Sequence, residues 1–499
     1  MAPGISTIKR GSIQVQKAAK VVNEQIGSRQ VLAVFIITGF VLCGVVEQSA
    51  SVALRANSTS SYSAAEFAEY VENTSYITRY CQPPSHHDHN RTNTSVHVVR
   101  SIPHIEIPMT RTDKTEAVLR QAFMWGTLVS PLAASRIAAR VGAERLYGAG
   151  VLGAGVVAVM VPASWLTACH VVIRFIQGIF MGATWPAAHM LAVTWIKPKH
   201  VSGFVSLYTA VNLGYAIVGI LGTQLVRKLG RDWLSYTIAL ISLLWYFLWW
   251  RFVEESLHPN RPKRDEHRHL PWRKLLMSKP AWACGIAVIG SQWADATLML
   301  GITKYLKLVY GFSIEYEDIL QSLPHIGHFF AAITFGIVVD HVRESGLVST
   351  TTSRKFFVYL SHFPPAALMF VLGYTGCDPA APAALYTAAL AMTGATPAGA
   401  FASAADIAPN FAGTVFGLCQ TVGAAGLLAA NYVVAEGLHG SFAGWWRLVF
   451  GVSSAVLLVT ATVFMVMGSG SVQDWNIPVD DESEKAPVEE PSRLESVLE

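Results

Sequence analysis

Charge is scarce in this sequence of 499 residues: Asp, Glu, Lys and Arg together make up 14%, while 52% is hydrophobic. A typical soluble domain carries about 25% charge, so the deficit excludes an ordinary water-soluble globule and points to lipid as solvent. Six cysteines (Cys43, Cys81, Cys169, Cys284, Cys377, Cys419) are scattered with no CxxC spacing, so neither a zinc site nor a disulfide framework organises the chain. No Walker loop, nucleophile elbow, zinc-binding histidine motif or dinucleotide fingerprint occurs. An enzyme, an ATP-driven pump, a cofactor and a nucleic-acid partner are therefore not expected. A cleavable signal peptide is lacking too, because the first apolar run is long and has no small-residue cleavage site.

What the sequence does have is long apolar segments. A crossing needs about 20 apolar residues, and twelve segments qualify. The first half gives Val31 to Leu54, Glu116 to Ala138, Leu146 to Trp165, Ala168 to Trp195, Val201 to Val226 and Trp233 to Phe252. The second gives Ala281 to Val309, Ile319 to Asp340, Lys355 to Tyr374, Ala380 to Ala402, Phe411 to Val434 and Trp445 to Met467. The division is six plus six. Residues 1–30 form a basic N-terminus, 31–253 a first six-helix bundle, 254–279 a linker with seven Lys/Arg against four Asp/Glu, 280–468 a second bundle, and 469–499 an acidic, disordered tail.

Basic residues gather in the N-terminus and in alternate short loops: Arg140 and Arg145, Lys197 and Lys199, the linker, then Arg343, Arg354 and Lys355. Such loops stay in the cytosol, which predicts that both termini are cytosolic. The outer loop Arg227 to Arg231 runs against this rule. The long first outer loop, 55–115, holds all four N-x-S/T sequons of the chain, at Asn57, Asn73, Asn90 and Asn93, which fits a glycosylated lumenal side. Its His86-His87-Asp88-His89 run reads as solvated, with metal binding the alternative. A disulfide between Cys81 and Cys377 is a further alternative. Asp340 and Asp406 fall at helix ends, where bracing with Arg343 or a neighbouring helix N-terminus is expected. Trp245, Trp249 and Trp250 read as interfacial anchors.

The most informative stretch is Val171 to Pro198, because it carries Arg174 inside an apolar crossing. Arginine at membrane depth costs several kcal/mol on insertion scales and is kept only where it faces protein, water or a ligand. Gly178, Gly182 and Pro186 follow at intervals of four, on nearly one helical face, where another helix is able to come close. The segment reads as the substrate-facing helix of a transporter, with a structural ion pair for Arg174 as the alternative.

Residues 174–189, RFIQGIFMGATWPAAH, resemble the fourth helix of the anion/cation symporters of the major facilitator superfamily, the group of sialin, vesicular glutamate transporters and type I sodium–phosphate cotransporters. Phe123 to Gly126, Leu323-Pro324-His325, Ser349 to Lys355 and Asp406-Ile407-Ala408-Pro409 are similar to further signatures of that family. The resemblance implies an all-α membrane protein of the major facilitator fold, with twelve transmembrane helices in two six-helix bundles. It also implies a site near the bilayer midplane. Arg174 and His189 match the family's pattern, whereas Glu47 stands where an arginine is usual, Arg120 where histidine is common and Met181 where the vesicular glutamate carriers have glutamate. In the seventh helix Ser291 and Ala296 replace an arginine or asparagine and a tyrosine, and Asp295 is an added acid.

Two readings of this pocket stay open. In one, Arg174, Arg120, His189 and Ser291 hold a carboxylate or phosphate, while Glu47 or Asp295 couples transport to a proton or sodium ion. In the other, the two arginines and two acids form salt bridges between the halves, and the solute is zwitterionic or neutral, or transport is lost. His325 and His328 read as packing residues, with proton relay the alternative. The expected function is a secondary active transporter of a small anionic solute, monomeric in the bilayer of the plasma membrane, an endolysosome or a vesicle. A facilitative carrier of a zwitterionic or neutral solute and a non-transporting receptor or scaffold are the alternatives.

Overall fold

The computed structural model describes residues 29–54, 111–163, 166–254, 270–301, 305, 314–375, 380–436 and 442–476. Among these, all regular structure is helical. Twelve long helices follow in order: α1 (Arg29–Leu54), α2 (Arg111–Val141), α3 (Ala143–Met160), α4 (Thr167–Trp195), α5 (Pro198–Leu229) and α6 (Arg231–Val253). After the linker come α7 (Lys279–Ala296, running on as a π-turn, Thr297–Gly301), α8 (Ile314–Glu344), α9 (Thr350–Leu372), α10 (Ala380–Thr393, resuming as Pro397–Phe401 and Ala402–Ile407), α11 (Pro409–Val434) and α12 (Phe442–Met467). Nine of these are apolar and long enough, among the described residues, to cross a bilayer; α2 is too polar at its start, and α7 and α10 are interrupted.

The order matches the twelve predicted segments. The seventh changes from α to π bonding after Ala296 and continues to Gly301; most of the remainder to Val309 lies outside the described residues. The four sequons, the histidine run, Cys81, Cys377, most of the linker and the acidic tail lie outside the described residues.

Small residues set the spacing inside the first half. A Cβ on Gly178 of α4 would stand 2.0 Å from the Phe123 carbonyl of α2, and one on Gly126 of α2 would stand 2.2 Å from the Phe175 carbonyl. The glycine face of α4 thus receives α2, as small-residue faces do where no hydrophobic force separates helix from lipid. Gly44 of α1 and Gly214 of α5 meet in the same way. Gly142, at φ 115°, makes the single-residue turn between α2 and α3 in a conformation that glycine tolerates without strain. Trp245 and Trp249 correct the expectation of interfacial anchors: both are buried, stacked on each other with centroids 5.3 Å apart and packed on Tyr147. Their indole N–H groups donate to Thr38 Oγ1 and the Glu144 carbonyl, so satisfied donors allow both rings inside. Trp250 alone of the three is exposed.

The halves meet along α2 with α11 and α5 with α8. Toward the end that carries Lys199, Arg343 and Arg354, hereafter the basic end, one apolar core runs through both halves. It joins Met190, Phe204 and Tyr208 to Phe401 and Phe416. Toward the opposite end the cores separate: Val46, Ala154, Val218 and Ile238 cluster in the first half, and Leu298, Tyr386, Trp446 and Phe450 in the second. Gly178→Val should fail to pack, since α2 must retreat by more than an ångström; overpacking of this kind costs about 1–3 kcal/mol. A thermal melt of the purified protein in detergent should show a clear drop, and an unchanged melting temperature would refute the close α2–α4 contact.

Candidate functional site

Arg174 sits two turns into α4 and is 3% exposed. Its Nη1 donates to the Val46 carbonyl of α1 and to Gln177 Oε1, each at 2.9 Å, and its Nη2 donates to the Glu47 carbonyl at 2.5 Å. Gln177, one turn on, passes the connection to the Ala154 carbonyl of α3. The guanidinium lies over the Phe123 ring, 4.8 Å from its centroid, in a cation–π contact. Among the described residues, Nε alone of its nitrogens is left without a partner. Arginine is therefore solvated here by backbone oxygen and an aromatic face, and it cross-links three helices.

Glu47 turns its carboxylate away from Arg174: Oε2 accepts from the Tyr215 hydroxyl of α5 at 2.6 Å. The Tyr215 ring meets His325 of α8 edge-on, and His325 Nδ1 donates to Asn212 Oδ1 at 2.8 Å, carrying the polar chain from one half to the other. Arg120 donates to Ser51 of α1 at 2.7 Å and to Glu116, one turn earlier on α2, at 2.8 Å. Asp295, on α7, accepts weakly from Thr393 at 3.4 Å. Among the described residues neither Glu47 nor Asp295 joins an ion pair with Arg120 or Arg174, so the expected alternative of two salt bridges between the halves does not form. The four groups nevertheless gather: Glu47 lies within Coulombic range of both arginines and of Asp295. With Glu116 pairing Arg120, the charged groups left around Glu47 are Arg174 and Asp295.

His189 and Ser291 do not join this cluster. His189 is fully buried, stacked on Phe416 of α11 at 4.1 Å, with neither ring nitrogen partnered among the described residues. Ser291 faces Thr396 of α10 at 2.9 Å and bonds the Ala287 carbonyl. Both occupy helix–helix contacts. The residues that sequence reasoning missed are Gln177, Glu116 and Tyr215. The first two were readable as i+3 and i−4 neighbours of the arginines, whereas the pairing of Tyr215 with a residue 168 positions away left no local signal.

At the basic end, hydrogen bonds and one ion pair hold the halves together, next to an Arg354–Asp406 pair inside the second half. Arg354 of α9, fully buried, donates from Nε to Asp406 Oδ2 at 2.6 Å and from Nη1 to the Ala398 carbonyl and to Ser202 Oγ of α5. Arg343 adds a contact to Asp406 at 3.5 Å. Asp340 accepts from the backbone N–H groups of Ser202 and Gly203 at 3.2 and 2.6 Å, where a helix N-terminus favours an anion. Lys199 pairs with Glu344 across the same seam. The expected bracing roles of Asp340 and Asp406 are thus what the structure places there.

A sequence profile of the Major Facilitator Superfamily matches residues 119–431. Human sialin is 25% identical over 382 residues, covering 72% of this chain and 77% of sialin. Human vesicular glutamate transporter 2 is 25% identical over 399 residues, covering 74% of this chain and 68% of that protein. Among solved structures, the proton:xylose symporter XylE superposes with a TM-score of 0.60 at 14% identity, covering 88% of this chain and 96% of XylE. That likeness concerns the fold.

Replacing Arg354 should open the basic end. Breaking a buried ion pair by removing one partner costs about 3–5 kcal/mol, and Arg354→Gln should both lower the melting temperature and speed labelling of Cys284 and Cys419 by a membrane-permeant maleimide. Both thiols are buried. Unchanged labelling would show that Arg354 does not hold the seam closed.

Proposed function

The chain belongs to the Major Facilitator Superfamily, and from that premise we propose that it is a secondary active membrane transporter of a small organic anion or inorganic phosphate, working by alternating access. The observation that carries this reading is the meeting, between the two halves, of Arg120 and Arg174 with Glu47 and Asp295. Charged groups at membrane depth mark solute and ion pathways. One core shared at the basic end and separate cores at the other describe half of an alternating-access cycle, with the basic end shut.

In this reading Arg174 and Arg120 supply the positive charge that draws the anion. Arg174 exchanges hydrogen bonds to the α1 carbonyls for bonds to the solute as α1 and α4 move. Glu47 and Asp295 couple the cycle to a proton or sodium gradient, and His189 and Ser291 keep their helices in register. The vesicular glutamate transporter is named for an anionic solute, which supports the same class here. The basic end and both termini face the cytosol, the four sequons face the lumen or exterior, and the protein acts as a monomer in the plasma membrane or an endolysosomal or vesicle membrane.

A second reading, a zwitterionic solute, is favoured by one observation: Asp295 has no basic partner among the described residues, and an amino group suits it. Uptake into proteoliposomes of labelled glutamate, phosphate and sialic acid, set against neutral and zwitterionic amino acids under imposed pH and sodium gradients, separates the two.

Arg174→Ala should reduce uptake by about tenfold or more, the scale of a lost charge-assisted hydrogen bond of about 1.5–3 kcal/mol, with the amount of protein in the membrane unchanged. Normal uptake would remove Arg174 from the transport cycle. Glu47→Gln should change the dependence on pH or sodium more than the choice of solute. An ion dependence identical to wild type would exclude Glu47 from coupling.

A further inference from the structure

Two helices lose their regular bonding at one level of the second half. The α-helical part of α7 ends at Ala296, one residue after Asp295, and that of α10 ends at Thr393. The helices run antiparallel, and their broken ends meet where the Thr393 hydroxyl reaches Asp295 Oδ1. Both α7 and α10 pass here into a π-turn, Thr297–Gly301 and Pro397–Phe401, and π-turns inside helices recur at functional positions.

Three further groups complete the place. His328 of α8 must donate through Nδ1, because its 2.7 Å partner, the Leu390 carbonyl, only accepts. Its Nε2 is then a lone-pair acceptor with no protein partner among the described residues. The same Nδ1 lies 3.3 Å from Thr393 Oγ1, and the single Thr393 proton has two acceptors in reach, the Leu390 carbonyl at 2.8 Å and Asp295 Oδ1 at 3.4 Å. Tyr386 of α10, 1% exposed, has a hydroxyl with no partner among the described residues and lies within Coulombic range of Asp295.

We propose that Asp295, Thr393, His328 and Tyr386 form a proton-binding site in the second half, and that the proton taken up by the Asp295 carboxylate is the coupling ion. The inference rests on the coupled-transport reading above and names its ion. Sodium fits poorly: it wants a cage of oxygens, whereas this place offers one carboxylate, two hydroxyls and an imidazole nitrogen. Asp295 differs from Glu47 in its surroundings: the Glu47 carboxylate accepts from the Tyr215 hydroxyl and has two arginines within Coulombic range.

The groups that face Asp295 from neighbouring helices are Glu47 of α1, Tyr215 of α5, His328 of α8 and Tyr386 of α10. From α9, His362 is tied to the Ala287 carbonyl, two turns before Asp295. From α11 and α12, Gln420 and Ser453 bond the flanking Gln292 and Trp293. None of these brings a cation to Asp295. With Arg120 balanced by Glu116, a proton on Asp295 leaves Arg174 against Glu47 alone, and an entering anion then meets no excess of negative charge. Proton and anion binding are thereby linked, each favouring the other by the same factor.

Protonation of Asp295 is measurable whichever solute is carried. Infrared difference spectra of the purified protein, titrated between about pH 5 and 8, should show a protonated-carboxyl C=O band that appears on acidification, is absent from Asp295→Asn and is retained, shifted, in Asp295→Glu. A melt of each variant confirms folding. Saturating sodium should leave the band in place. No Asp295-dependent band, or one that sodium abolishes at constant pH, overturns the proposal. In proteoliposomes, half-saturation for whichever of glutamate, phosphate or sialic acid is taken up should fall on acidification by about 5- to 150-fold, and in Asp295→Asn by less than about twofold. A titrating band without flux of any solute would instead sink the transporter reading while leaving the proton site standing.

Discussion

An ionised side chain in the bilayer is stable only where something other than lipid solvates it, and this constraint organises the first half of the protein. Arg174 meets it with two backbone carbonyls of α1, the amide of Gln177 and the face of Phe123. To reach them, α4 must lie against α1 and α2 at close range, which is what Gly178 and Gly126 allow. Buried charge and missing side chains are therefore one device. The arginine needs near backbone, and the glycines bring it near.

The same constraint acts at the basic end with a different outcome. There Arg354 is satisfied by groups from both halves, Ser202 on one side and Asp406 and Ala398 on the other. A charge solvated across a seam holds that seam shut, and it releases when either side withdraws. Arg174, bonded wholly within the first half, moves with it as a unit. Arg174 bonds that stay within one half, beside Arg354 bonds that span both, suit a rocking of the two bundles against each other.

Between these two places lies a cluster whose electrostatics differ from the formal count of charges. Arg120 is matched by Glu116 one turn away on its own helix, so Glu47 and Asp295 together outnumber the single remaining arginine. An anion carrier with this balance depends on neutralising one carboxylate during its cycle. The break in α7 beside Asp295 marks that residue out.

Much of this was legible in the chain. The twelve crossings followed from apolar length, the close α2–α4 approach from glycines spaced by four, the bracing of Asp340 and Asp406 from their positions at helix ends, and the family from motifs such as 174–189. These are local properties, set by hydrophobicity, helical period and backbone freedom over one or two turns. What only the tertiary structure decided is where each polar group finds its partner: Arg174 on the carbonyls of α1 rather than on an acid, Glu47 on Tyr215, Asp295 beside the broken end of α10, and Trp245 and Trp249 inside instead of at the interface. Those pairings join residues from 98 to 207 positions apart, and no periodicity within one helix encodes which face of a distant helix will lie against it.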